Sequence, residues 1–239
     1  MLTQSLSAVP YKVWLLLTTG PMLFLLGIVG ASIFFSVREV PSAQIPEQVT
    51  ALVPHILLGV LVCLAVLMTS FAPQVKAAWL LPEFSKAFSD VAVGLLAGSL
   101  LAIAYLYWLA PLLETLQRTF GDFVPPGSVL PTVSSSIGLF FIANVLLAPL
   151  VEETLYRGIA IPLLTNHLGV LWAVVLSCLL FGLLHWAGGL WYMLLTGVVA
   201  GGAFAGLFYW RGGVLAPFAA HFALNLIEFI YAWHAQNQA

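Results

Sequence analysis

Long apolar runs separated by short polar breaks make up most of the chain. Seven of them are candidates for helices at membrane depth: Val13–Val37, Pro54–Ala72, Ala87–Leu109, Ile137–Leu150, Val170–His185, Leu190–Trp210 and Val214–Trp233. A hydrocarbon core of roughly 30 Å takes about 20 helical residues. The pattern therefore predicts an all-α, polytopic transmembrane bundle of seven helices, with an eighth, half-length or re-entrant segment as the alternative. The fourth run is short and is expected to continue through Glu152 to about Leu164. The breaks are a loop punctuated by Pro41 and Pro46, an amphipathic stretch at Gln74–Asp90, and a turn-rich segment at Gly121–Ser136. The last, with Pro125-Pro126-Gly127 and Ser134-Ser135-Ser136, marks a boundary between two halves of one transmembrane domain, residues 1–239. There is no internal repeat. Gly94 and Gly98, Gly197 and Gly201, and Gly202 and Gly206 have the small-xxx-small spacing that lets helices approach closely in lipid.

Composition supports this picture. Of the 239 residues, 62% are hydrophobic and 7% charged, and the mean hydropathy is +1.08. Soluble domains carry about 25% charged residues, so a soluble enzyme or secreted scaffold is excluded. The net charge of −2 excludes nucleic acid as a partner, because phosphate binding needs a basic face. Cys63 and Cys178 lie inside apolar runs and are expected as small buried hydrophobes. No Cys-x-x-Cys or Cys/His spacing suggests zinc. The first run follows Lys12, is interrupted by Gly20-Pro21 and lacks a small-residue cleavage site, so it reads as a retained helix rather than a signal peptide. The C-terminus carries no lipidation signal. With the N-terminus inside, Lys12, Lys76, Lys86, Arg157 and Arg211 fall on the cytoplasmic side, and Arg38 and Arg118 on the other. That bias predicts a cytoplasmic N-terminus, with Glu152 in a cavity open toward the cytoplasmic side. Nothing in the pattern specifies an oligomeric state.

An ionisable residue at membrane depth costs roughly 2.5–3.5 kcal/mol on insertion scales and is a functional hypothesis by default. Three clusters stand out: Glu152-Glu153-Thr154-Leu155-Tyr156-Arg157-Gly158, then Phe181 with His185, then His221 with Asn225. Successive helical residues are about 100° apart, so Glu152 and Glu153 cannot both face one cavity squarely. Glu153 and Arg157, at i and i+4 with the acid first, have the favourable order for an ion pair. Glu152 is then left without a counter-ion in its own helix and is a candidate general base or acid. His221 and Asn225, also at i and i+4, can converge as donors to an oxyanion, or glue helices together. His185 alone is as easily structural. Together, an acid, two histidines and an amide on three helices supply a base, its partner and an oxyanion site. Glu228, seven residues after His221, borders the same face and is weighed as interfacial or paired, with a functional role as the lesser alternative. Pro149 either frees a helix carbonyl and kinks the segment or starts a new helix. His55, His167 and His234 are expected in solvent, and Trp186, Trp191, Trp210 and Trp233 at the membrane interfaces.

Glu-Glu-x-x-x-Arg, Phe-x-x-x-His and His-x-x-x-Asn, in that order, resemble the motifs of the CAAX prenyl protease and bacteriocin-processing family. These are the Abi or type II CAAX endopeptidases, intramembrane glutamate proteases. The resemblance covers about Asn144 to Asn225, a catalytic core of residues 144–225. It implies that Glu152 activates the attacking water, His185 helps to hold it, and His221 and Asn225 stabilise the oxyanion, while Glu153 and Arg157 brace the site. It further implies a peptide or prenylated-protein C-terminus as substrate, membrane lipid as the surroundings, and the cell membrane of a prokaryote as the location. No cofactor is expected, with zinc held by Glu152, His185 and His221 as the minority reading. The rival functions are a non-catalytic bacteriocin-immunity or peptide-binding protein, and a transporter. The absence of repeats weighs against the transporter.

Overall fold

The computed structural model describes residues 9–126 and 136–238. Among these, all regular structure is helical. The helices are α1 (Tyr11–Val37), α2 (Ile45–Ala78), α3 (Phe84–Phe120), α4 (Ile137–Leu168), α5 (Val170–Leu184), α6 (Leu190–Arg211) and α7 (Leu215–Gln238). Six are long and apolar enough to cross a membrane; α5, with 15 residues, is the short one. The protein is an integral, multi-pass helical bundle. Each apolar run corresponds to one helix, and a single turn at Trp186–Gly188 stands between α5 and α6.

Two boundaries differ from the sequence pattern. The stretch Gln74–Asp90 is no separate amphipathic element: it closes α2 and opens α3. Helix α3 also runs on to Phe120, past Leu109 and through Pro111. Proline lacks an N–H and clashes with the preceding turn, and here the chain answers with a widened, π-type turn at Tyr105–Leu109. The same device recurs twice in α4, where Phe141–Leu147 precedes Pro149 and Thr154–Ala160 precedes Pro162. Pro149 thus lies inside a continuous α4 rather than starting a new helix. Much of the expected boundary segment, residues 127–135, lies outside the described residues.

Glycines set the closest helix contacts. A Cβ at Gly94 or Gly98 would collide with the carbonyls of Ala216 and Ala220, which brings α3 and α7 together in parallel. Gly197 and Gly201 likewise pack on Cys178 of α5. Gly202 and Gly206 meet nothing within 4 Å, so that pair is not a packing motif. Cys63 is exposed on the outside of the bundle and Cys178 half-buried, which corrects the expectation that both are buried. His55, His167 and His234 are exposed, as expected.

Both ends of α6 are tied down. At its start, the Asp122 carboxylate accepts the backbone N–H groups of Leu190 at 2.8 Å and Phe123 at 2.7 Å. A longer contact, 3.4 Å, runs from the N–H of Trp191. Asp122 thereby satisfies helix-terminal donors from another loop. Desolvation pushes its carboxyl up, but these backbone donors outweigh that and hold it below the usual carboxylate range.

Candidate active site

The middle of α4 is the most enclosed part of the chain: every residue from Val151 to Ile161 is buried. Within it, Arg157 Nη1 lies 3.1 Å from Glu153 Oε1, and both side chains are fully buried. This is the i, i+4 pair expected from the spacing. Arg157 Nη2 donates to the Gly201 carbonyl at 2.9 Å, and the guanidinium lies 4.5 Å from the centre of the Phe181 ring. Glu153 Oε1 also takes the His221 Nδ1 contact at 2.9 Å. One carboxylate oxygen therefore joins α4 to α7, and the arginine beside it joins α4 to α6.

Glu152 points elsewhere, as the 100° step requires. It lines a cavity of about 440 Å³ together with His185, His221 and Asn225. Its Oε2 is buried without a partner among the described residues. His185 follows the last residue of α5. That helix is only about 22 Å long, shorter than a hydrocarbon core, so its C-terminal end stays at membrane depth. His185 Nδ1 lies 2.9 Å from the Phe181 carbonyl. A carbonyl only accepts, so Nδ1 carries the proton and Nε2 presents a lone pair.

Asn225 Nδ2 donates to the Asn144 carbonyl at 2.8 Å. In a widened turn that carbonyl would take the N–H five residues on, and Pro149 has none. Pro149 thus frees a carbonyl, one of the two roles open to it, and the freed group orients the amide at the cavity.

The structure brings all six singled-out residues together: Glu152, His185, His221 and Asn225 on the cavity wall, Glu153 and Arg157 behind His221. The comparison with known families bears on the same part of the chain. Residues 134–227 match the type II CAAX prenyl endopeptidase, Rce1-like, family. By that similarity, this part of the chain is called the Rce1-like segment. No curated protein and no solved structure matches the chain. The Rce1-like segment holds every residue of the polar constellation, whereas α1 to α3 lie outside it.

Sequence reasoning paired Glu153 with Arg157 but missed its contact with His221, which lies 68 residues away and has no local signature. It also missed Tyr192, on the wall of the same cavity. A tyrosine within an apolar run was the available signal. Among the described residues, no three His, Cys, Asp or Glu side chains gather as a ligand set.

The cavity wall includes Thr50 and Pro54 near the start of α2, Phe140 and Asn144 near the start of α4, and Gly188 just before α6. These belong to the end of the bundle where α1 finishes, opposite Tyr11. A cytoplasmic N-terminus and a cavity open toward the cytoplasm therefore exclude one another in this fold, and the two expectations cannot both stand.

Proposed function

We propose that the chain is an intramembrane endopeptidase that hydrolyses a peptide bond with water activated by Glu152. The observation that carries this reading is the meeting of Glu152, His185, His221 and Asn225 on one cavity wall within the Rce1-like segment. His185 accepts a hydrogen bond from the water through Nε2. Glu152 takes a water proton as the oxygen attacks the scissile carbonyl carbon. The carbonyl electron pair moves to oxygen, which accepts from the Asn225 N–H not used by Asn144 and from His221 Nε2. Donation from Nε2 while Nδ1 donates to Glu153 requires both ring nitrogens to be protonated, and Glu153 is the counter-charge at that spot. Glu152 then delivers its proton to the leaving nitrogen, the C–N bond breaks, and a carboxylic acid and an amine result. No zinc is required in this scheme.

Lys12, Lys76, Lys86 and Arg211 lie at the Tyr11 end, against Arg38 and Arg118 at the other. On this bias we retain the cytoplasmic N-terminus, so that the cavity mouth faces away from the cytoplasm. Labelling single cysteines at position 12 or 38 from either side of sealed cells tests this.

The test of the chemistry uses purified protein in liposomes with a farnesylated CAAX peptide, its unprenylated twin and an apolar peptide pool. Wild type cleaves, and Glu152→Gln loses about 10²–10⁴-fold in turnover while retaining affinity. Cleavage abolished by a zinc chelator overturns the glutamate mechanism. A Glu152→Gln protein with full biological effect points instead to a peptide-capture or immunity protein.

A further inference from the structure

The cavity holds a second carboxylate that this chemistry does not use. Glu228 lies three residues after Asn225 and seven after His221 on α7, on the same face and nearer the mouth. Like Glu152, it lacks the cationic partners that Glu153 has in Arg157 and His221 and that Asp90 has in Lys86 and Arg211. Glu228 has no hydrogen bond or ion pair with any described residue. Beside it stand Tyr105 of α3 and Tyr192 of α6, both within its electrostatic reach. Their ring centroids are 6.4 Å apart at an interplanar angle of 65°. All three line the narrow apolar cleft that adjoins the cavity. Among the described residues, no Lys or Arg lines either space.

A carboxylate flanked by two aromatic rings in apolar surroundings has the chemistry of a site for an organic cation. The acid supplies the counter-charge and the ring faces add cation–π attraction. At membrane depth a charge is tolerated where it is paired, and here the protein leaves the pairing to something that enters. We propose that Glu228, with Tyr105 and Tyr192, binds a Lys or Arg side chain of the substrate close to the scissile bond. Helical neighbours at i and i+3 have Cβ atoms about 5–6 Å apart, and an extended peptide advances about 3.3–3.6 Å per residue. With the scissile carbonyl at Asn225, Glu228 is within reach of a basic side chain one or two residues away. The same acid, with no Lys or Arg among the described residues of the wall, disfavours a C-terminal carboxylate at that position. The preferred substrate is a basic, membrane-associated peptide cut internally. The place of the cut rests on the endopeptidase reading; the binding of the cation does not.

Binding and cleavage therefore test it separately. The probes are a fluorescent apolar peptide with one Lys and its twin with norleucine at that position, offered to Glu152→Gln protein in nanodiscs. The Lys peptide binds at least about tenfold more tightly, and adding Glu228→Gln brings the ratio to about one. If that variant does not fold, competition for the Lys peptide by n-butylammonium, and not by n-butanol, reads the same site. In wild-type protein, cuts fall within two residues of the Lys. Equal binding of the twins, no binding of either, a preference that survives Glu228→Gln, or a variant that does not fold joined to failed competition each overturns the site. A Lys preference abolished by Glu228→Gln, with no cleavage by wild type, keeps the site and removes the endopeptidase reading instead.

Discussion

Two ion-pair networks tie α6 to its neighbours, one near the end of the bundle and one at its centre. In the first, Arg211 Nε meets Asp90 Oδ1 at 2.6 Å, and Lys86 Nζ meets Asp90 Oδ2 at 2.8 Å and the Arg211 carbonyl at 2.7 Å. Both carboxylate oxygens are used, and the Lys86 side chain is 48% exposed. In the second, the side chains of Arg157 and Glu153 are 0% exposed, yet Arg157 Nε and Glu153 Oε2 have no hydrogen-bond partner. The peripheral network is closed and exposed at its Lys86 side, which is what fastening a helix end requires. The central one buries charge without satisfying all of it, a poor way to gain stability when apolar side chains of similar volume often do as well or better. What it does accomplish is to hold His221 at the cavity wall through Glu153. Charge at the rim fastens the bundle; charge at the centre serves the site.

The sharpest way to break that contrast is to remove one partner at the centre. Arg157→Met leaves Glu153 buried without its cation and is expected to cost about 3–5 kcal/mol, read as a loss of folded protein and a lower thermal midpoint in detergent. The double variant Glu153→Gln, Arg157→Met, which removes both members of the buried pair, is expected to recover more than half of that stability. It should remain inactive, because His221 has lost its counter-charge. Recovery of activity together with stability would show that the central network is structural after all.

The same contrast explains what was legible in the sequence. Helix number and the Glu153–Arg157 pair follow from local rules, 3.6-residue periodicity and i, i+4 spacing, and the structure has both. The convergence of Glu152, His185, His221 and Asn225 follows from no local rule. It could be suspected only because ionisable groups at membrane depth are scarce and their order resembles a family. The length of α3 was misread at Pro111, since a proline signals an interruption without saying whether a widened turn absorbs it. The Gly202–Gly206 spacing was indistinguishable from that of Gly94–Gly98, although only the latter meets a neighbouring backbone. Spacing names a face of a helix, and only the fold decides what that face meets. That the cavity mouth and the N-terminus lie at opposite ends was not legible for a similar reason: the position of Glu152 midway along α4 does not reveal which end of the helix the cavity follows.

At the rim, Asp90→Asn is expected to be milder. The substitution keeps an acceptor for Arg211 but removes the charge shared with Lys86, and exposed pairs are worth about 0–1 kcal/mol while hydrogen bonds to charged groups reach about 1.5–3. A loss of about 1–2 kcal/mol in a denaturation series, with turnover per folded molecule unchanged, is the expected result. A fall in turnover as large as that of a site variant would erase the distinction between the two networks.

The smallest effect is expected at the other end of α6, where Asp122 meets backbone N–H groups instead of cations. A cap of this kind is worth about 0.5–2 kcal/mol, and Asn keeps part of it, so Asp122→Asn should cost about 0.5–1 kcal/mol near neutral pH. The backbone donors hold the folded carboxyl below its unfolded value of about 3.9. Its contribution is therefore complete above that value and is lost as pH falls through the lower, folded one. The thermal midpoints of wild type and Asp122→Asn should differ by a constant amount from pH 8 to pH 5 and converge below about pH 4. A gap that stays the same at low pH would assign the loss to packing around Gly189, whose position against Asp122 leaves no room for a Cβ, and would place this tie with the glycine contacts rather than with the charged ones.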